Sequence, residues 1–267
     1  MINTKTDRKN LYLSLDKLDL ISKLRPLLER EYVLRLEDGR FIPRHASLAP
    51  DPPWIYVKTA NARCDLYNKV FYQHLGHIHS RCRDCWKVVA RPRTVVELFD
   101  LYELQREMGV PCKCGIEPRE SVNGLYGGYF YNRGPEEGFE RYKQVRKAVD
   151  EQISPDMGVI LKRMCTEFEL GTPPGGDGTH RPSDTIEDCT LEEIEWEKWV
   201  EDQFPRVGFE SRQTDIQMAK VMRRWIHHAY QNGDNTYLEF TNGERLFNTV
   251  VTYHEKFMEG EQNGNTK

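Results

Sequence analysis

Long apolar runs are missing from this chain. No segment is apolar over the length a membrane-spanning helix needs, which is about 20 residues. The opening MINTKTDRKN is polar and leads into no apolar core, so no secretory leader is expected. An excess of positive charge is missing too. With a formal net charge of −4, the chain lacks the global basic footprint of a nucleic-acid binder, and any such surface has to be local. Apolar residues make up 38% of the sequence against 30% charged. That balance predicts helices with solvated outer faces around a modest core. The seven cysteines are an odd number, and without a leader they do not read as a disulfide framework. A reduced, cytoplasmic setting is expected.

Common catalytic signatures are absent as well. There is no G-x-x-x-x-G-K-[ST] phosphate loop, no G-x-S-x-G elbow and no H-E-x-x-H helix. The H-x-E…P-C-x-x-C pattern of the zinc deaminases is missing, and so is the bacterial ferredoxin run C-x-x-C-x-x-C-x-x-x-C-P. No repeat of fixed period is visible.

What is present is a clear alternation of periodicities. Residues 11–31 carry Leu18, Ile21, Leu24, Leu27 and Leu28 at helical spacing, with Pro26 arguing for a kink or a break. Residues 32–36 and 40–42 flank Asp38-Gly39, a hairpin signal. Residues 43–53 read as an irregular connection. A helix is expected from about Thr59, with Cys64, Tyr67, Val70, Phe71 and His74 on one face and Gly76 as its stop.

Six segments then follow in the order β-α-β-β-α-β. Strand 86–92 leads to a helix opened by the capping box Thr94-Val-Val-Glu97 and stopped at Gly109. Strands 112–118 and 125–132 come next, then a helix from Pro135 to about Ile153 and a strand over 158–169. This is the split βαβ, or ferredoxin-like, pattern. The expected class is therefore α+β, with additional N- and C-terminal helices. Right-handed crossovers place both helices on one face of the sheet. The Gly- and Pro-rich stretch 171–185 reads as a linker. Helices are expected over 191–203, 214–231 and from Asn242-Gly243 to near His254. The predicted layout is an N-terminal helical and hairpin region over 1–78, the α+β core over 79–170, the linker over 171–185 and a helical region over 186–267.

Two cysteine pairs frame the first βαβ unit: Cys82-Arg-Asp-Cys85 ahead of its first strand and Cys112-Lys-Cys114 opening its second. Strands entering a sheet from the same end would bring these sulfurs together. The expected site is a structural zinc held by Cys82, Cys85, Cys112 and Cys114, since four thiolates suit tetrahedral Zn²⁺ and would contribute folding energy directly. An iron–sulfur cluster needs the same number of ligands. Cys64, His77, His79 and Cys165 compete for a ligand position, and His74, His77 and His79 beside the C-x-x-C could form a second site. The plain alternative is buried, reduced cysteines acting as small hydrophobes.

The alternation of the strands sorts Lys87, Arg91, Lys113, Tyr129 and Tyr131 onto the face away from the helices. Cations with aromatics on a sheet make a platform for a single-stranded nucleic acid. The C-terminal helices could equally cover that face and turn these residues into core. The expected function is thus an intracellular zinc-stabilised protein that binds single-stranded nucleic acid or a nucleic-acid-processing protein partner, with no membrane involved. Two other classes stay open: a metal- or Fe–S-dependent enzyme using the cysteine cluster, and an assembly protein without catalytic activity.

Overall fold

The computed structural model describes residues 17–35, 37–43, 53–60, 63–119, 122–170, 182–205 and 213–247. The expectations for 1–10, for most of 43–53 and 171–181, and for the helical stretch beyond 247 lie outside the described residues.

The chain is α+β. Helix α1 (Lys17–Arg30) leads into a hairpin of β1 (Tyr32–Arg35) and β2 (Arg40–Pro43), turned at Gly39 with φ +65°. Pro26 lies inside α1 without ending it. Strand β3 (Trp54–Lys58) follows; the sequence pattern did not signal it. Helix α2 (Cys64–Leu66) continues as a π-helical segment (Tyr67–His74) that stops at Gly76, φ +65°. Then come α3 (Ser80–Arg83), β4 (Cys85–Arg91), α4 (Val95–Met108), β5 (Cys112–Ile116), β6 (Tyr126–Arg133), α5 (Gly134–Gln152) and β7 (Gly158–Arg163). A short α6 (Thr166–Leu170), α7 (Leu191–Asp202) and α8 (Asp215–Gln231) complete the regular helices among the described residues.

Five strands form one antiparallel sheet in the order β3-β5-β6-β4-β7, beside the two-stranded hairpin. Helices α4, α5 and α8 pack on one face over Val88, Ala90, Cys112, Cys114, Ile116 and Phe130. Gly128 makes the α4 contact possible. A Cβ there would lie 2.4 Å from Leu101 Cδ2 and 3.2 Å from Leu101 Cγ, so a side chain would force the buried Leu101 side chain aside. Helix α8 joins this core rather than the open face; Trp225 is fully buried and its indole donates to the Pro53 carbonyl at 3.1 Å. Its inward stripe is Val221, Trp225 and Ala229, while Ile216, in the first turn, is 72% exposed.

Local chemistry explains the element ends. The Thr94 hydroxyl accepts from the Glu97 N–H, and Gly109 closes α4 in the left-handed region at φ +60°. The expected reciprocal bond is different: the Glu97 carboxylate takes the N–H and guanidinium of Arg93 instead. Complete capping boxes open α7 (Thr190 with Glu193) and α8 (Thr214 with Gln217). The fourth predicted strand ends early, because Met164 adopts φ +60° and turns the chain into α6.

A second apolar cluster gathers α1, the hairpin, the π-helical segment, Met164, Phe168 and α7. Phe204 is its hinge, against Tyr32 (ring centroids 5.4 Å) and Phe41 (4.8 Å). Both clusters draw residues from across the expected boundaries at 78 and 186.

Candidate metal centres

The four cysteines expected to share one ion are not brought together. Strand β6 lies between β4 and β5. Cys112 is level with Phe130 and through it with Val88, three residues past Cys85. The two pairs are thus offset by about 10 Å across the sheet and about 10 Å along it. They also occupy opposite faces. Cys112 and Cys114 point into the helix-side core, where the Cys112 thiol contacts the Gln105 carbonyl, whereas Cys85 shares the side of Lys87. β4 and β5 do start at the same end of the sheet, but β6 separates them and residue 85 has the parity of the opposite face. Cys112 and Cys114 pack as buried thiols.

The platform residues do share the face away from the helices, since Lys87 pairs with Tyr131 and Lys113 with Tyr129. That face is not open, however. Lys87 is 7% and Tyr129 6% exposed. The Tyr129 hydroxyl donates to Glu117 at 2.5 Å and accepts from Arg119 at 2.8 Å, and Arg119 also pairs with Glu167. Lys113 lies 4.3 Å from the Trp54 ring centroid and 5.5 Å from that of Tyr129. Burial, then Lys87 and Arg119, pull its pKa down to about 8. Arg91, Lys113 and Tyr131 keep partial access to solvent.

Among the described residues, a tight group of ligating atoms lies elsewhere. His77 Nε2 and Glu197 Oε1 are 2.6 Å apart; the Cys189 thiol is 3.4 Å from the same oxygen and 4.0 Å from Nε2. His77 follows the Gly76 stop, Cys189 precedes the N-cap of α7, and Glu197 projects from the buried side of α7 with Trp196 and Val200. Glu197 is 2% exposed. It also accepts the Ser80 N–H at 2.8 Å and the Ser80 hydroxyl, which ties α3 to α7. Burial opposes its ionisation, but the His77 bond, the nearby His79 and the Ser80 bonds outweigh it and hold the carboxyl down to about 2. Burial pushes the Cys189 thiol up to about 12.

His79 adjoins this group. Its Nδ1 accepts the Arg81 N–H at 3.1 Å, and its Nε2 stands 3.6 Å from both Glu197 and Glu201 without a hydrogen bond. Burial lowers its pKa to about 4, against the pull of Glu197. The ring stacks on Tyr67 at 4.0 Å between centroids. Tyr67 and Glu201 in turn line a surface cavity of about 270 Å³ together with Arg40, Arg63 and Arg81.

Cys85 and Cys165 lie on the covered face beside Lys87. Lys87 Nζ sits 2.8 Å from Cys165 Sγ. Burial would strip that ammonium of its proton, but Cys165, Cys85 and Tyr131 hold its pKa well above the ordinary lysine value.

Cys82, Cys85, His77 and His79 were thus visible as candidates in the sequence, and Cys64 and Cys165 as competitors. Cys189 and Glu197 were missed. The available signal was a carboxylate one turn after Glu193 on the stripe that carries Trp196 and Val200, where an amphipathic helix should be apolar. Compared with known protein families, curated proteins and solved structures, the chain matches none.

Proposed function

We propose that the chain is a metal-dependent α+β protein whose centre is a mononuclear site formed by His77, Cys189 and Glu197. The observation that carries the reading is the convergence of an imidazole nitrogen, a thiol and a carboxylate oxygen from distant parts of the chain in a largely buried spot. Donor atoms around a tetrahedral zinc stand about 3.3–3.5 Å apart, given its bond lengths. The observed separations of 2.6, 3.4 and 4.0 Å straddle that range, so a shift of under about 1 Å per donor would seat the ion. A mixed N, S and O set suits zinc, a borderline-soft ion. Three protein ligands leave a position for water, the arrangement in which zinc acts as a Lewis acid. His79 is not the fourth ligand, because its Nδ1 already accepts a backbone N–H and Nε2 carries the proton.

For the sheet, we propose the ferredoxin-like split βαβ. The order β5-β6-β4-β7, with α4 and α5 as crossovers on one face, supports it, and β3 is then an added edge strand. Contact with single-stranded nucleic acid through this sheet is the weaker reading, since Lys87 and Tyr129 at the middle of the platform are buried.

The test is elemental analysis of the full chain purified without chelator, with the Glu197→Gln and Cys189→Ser variants beside it. One equivalent of metal in a mixed N/O/S shell, lost in both variants, is the expected result. Metal content identical in wild type and variants would overturn the assignment.

A further inference from the structure

The surface cavity beside His79 gathers charged side chains from four parts of the chain. Arg40 comes from β2, Arg63 from the position ahead of α2 and Arg81 from α3, while Glu201 and Asp202 end α7. Neither Arg40 nor Arg81 makes an ion pair or a side-chain hydrogen bond among the described residues. Their backbones are nevertheless held in place. The Phe41 N–H donates to the Gln203 carbonyl at 2.6 Å, and the Arg63 guanidinium donates to the Phe204 carbonyl. The Ser80 bonds to Glu197 keep α3 against the same helix. The walls are thus assembled before any ligand arrives, which spares binding the entropy of ordering them. Tyr67 and Phe204, each 2% exposed, are the buried part of the lining. The Tyr67 hydroxyl finds no hydrogen bond of ordinary geometry. Burial and then Glu201 raise its pKa, so it stays a neutral O–H group. Glu201 and Arg81, the largest charge effects on it, both belong to the cavity wall.

We propose that this cavity binds a small hydroxylated phosphomonoester, with the phosphoryl group between Arg40, Arg63 and Arg81 and with Asp202 accepting from the hydroxyls. The site stands apart from the metal reading and does not need it. A guanidinium presents a planar fork of donors that matches phosphate oxygens. A phosphomonoester carries nearly two negative charges and three strong acceptor oxygens, a better match to three guanidiniums than a carboxylate is. Three arginines against two carboxylates leave the wall positive. Glu201 is directed at His79, with Oε1 3.6 Å from Nε2. Asp202, exposed at the end of α7, is the carboxylate left to face a ligand, and a carboxylate is an acceptor for hydroxyl groups. The cavity measures about 270 Å³. That is just under the roughly 300 Å³ at which pockets for drug-sized ligands begin, so it suits a compact molecule of sugar-phosphate size.

The experiment is titration calorimetry on the full chain with glucose 6-phosphate, glucose, inorganic phosphate and inorganic sulfate as probes. Glucose 6-phosphate should bind more tightly than inorganic phosphate, glucose should give no signal, and affinity should fall as salt rises. Arg40→Ala and Arg81→Ala should each weaken glucose 6-phosphate about tenfold or more, as loss of a charged hydrogen bond does. Both side chains are exposed and unpartnered, so the melting temperature without ligand should not change, which keeps a folding defect out of the comparison. Asp202→Asn should lower the affinity for glucose 6-phosphate without lowering that for inorganic phosphate. A phosphate held on a metal at His77 would be indifferent to Arg40. Equal affinity in wild type and Arg40→Ala would therefore overturn the proposal. So would the absence of binding, or glucose 6-phosphate binding no tighter than inorganic sulfate.

Discussion

His79 is held neutral in a place where a charge would be welcome to only part of its surroundings. Glu197 and Glu201 face it from α7, while His77, Arg81 and Arg63 bring positive charge or its potential, and Tyr67 and Phe71 close the ring in. Burial is the largest influence and lowers the pKa from 6.5 to about 4. A lowered pKa stabilises the fold above the unfolded value, and the gain is lost as pH falls, because the unfolded chain binds a proton that the folded one refuses. In the metal-free protein, stability should therefore fall between about pH 6.5 and pH 4 by on the order of 2–3 kcal/mol. Glu197 extends the loss below about pH 4.5, since its carboxyl is held down to about 2. Thermal melts of chelated protein across this range should show the decline, and His79→Gln should flatten its upper part. A variant with the same pH slope as wild type would remove His79 from the account. The H-x-H pattern made His77 and His79 legible as candidates. Glu197 was not, because a glutamate on an acidic helix looks solvated until its neighbours on the stripe are known to be core.

Helix α4 and strand β6 show which parts of an element can be read from local chemistry. Thr94 and Gly109 mark the helix ends correctly because caps act within one turn. The strand order is a different matter: β3 is a short edge strand whose pairing with β5 depends on residues far away in sequence. The same applies to the end of β7, where a non-glycine residue, Met164, takes the left-handed conformation because its side chain is fully buried in the second cluster. Gly128 belongs to the contact between α4 and β6. Gly128→Ala should destabilise the protein by about 1–3 kcal/mol, the usual cost of overpacking, because the new Cβ meets Leu101 Cδ2 at 2.4 Å. Denaturant unfolding measures this, and adding Leu101→Ala should recover less than it costs alone but show clear coupling between the two sites. Strict additivity would mean that the helix does not rest on this glycine.

The described residues form a helix-side core against the sheet, a second cluster of α1, the hairpin, the π-helical segment and α7, and a small group of Trp54, Val89 and Tyr129 on the face away from the helices; the His77 group adjoins the second cluster. The helix-side core is closed by α4, α5 and α8 over the sheet and contains no proposed ligand. The second cluster is assembled from α1, the hairpin, the π-helical segment and α7, which are distant in sequence. Composition could not reveal this division, since a sequence boundary near 78 or 186 says nothing of which cluster a helix joins. The consequence is an asymmetry. His77, Cys189 and Glu197 fasten the segment before α3 to α7. Removing metal should therefore loosen one half of the molecule and spare the other. Hydrogen exchange after chelation should speed up in the π-helical segment, α3 and α7, by a factor set by the binding free energy lost. Amides of α4, β4 and β6 should keep their protection. Equal acceleration throughout would mean that the ion stabilises the chain only as a whole. Unchanged exchange everywhere would deny that these residues hold metal at all.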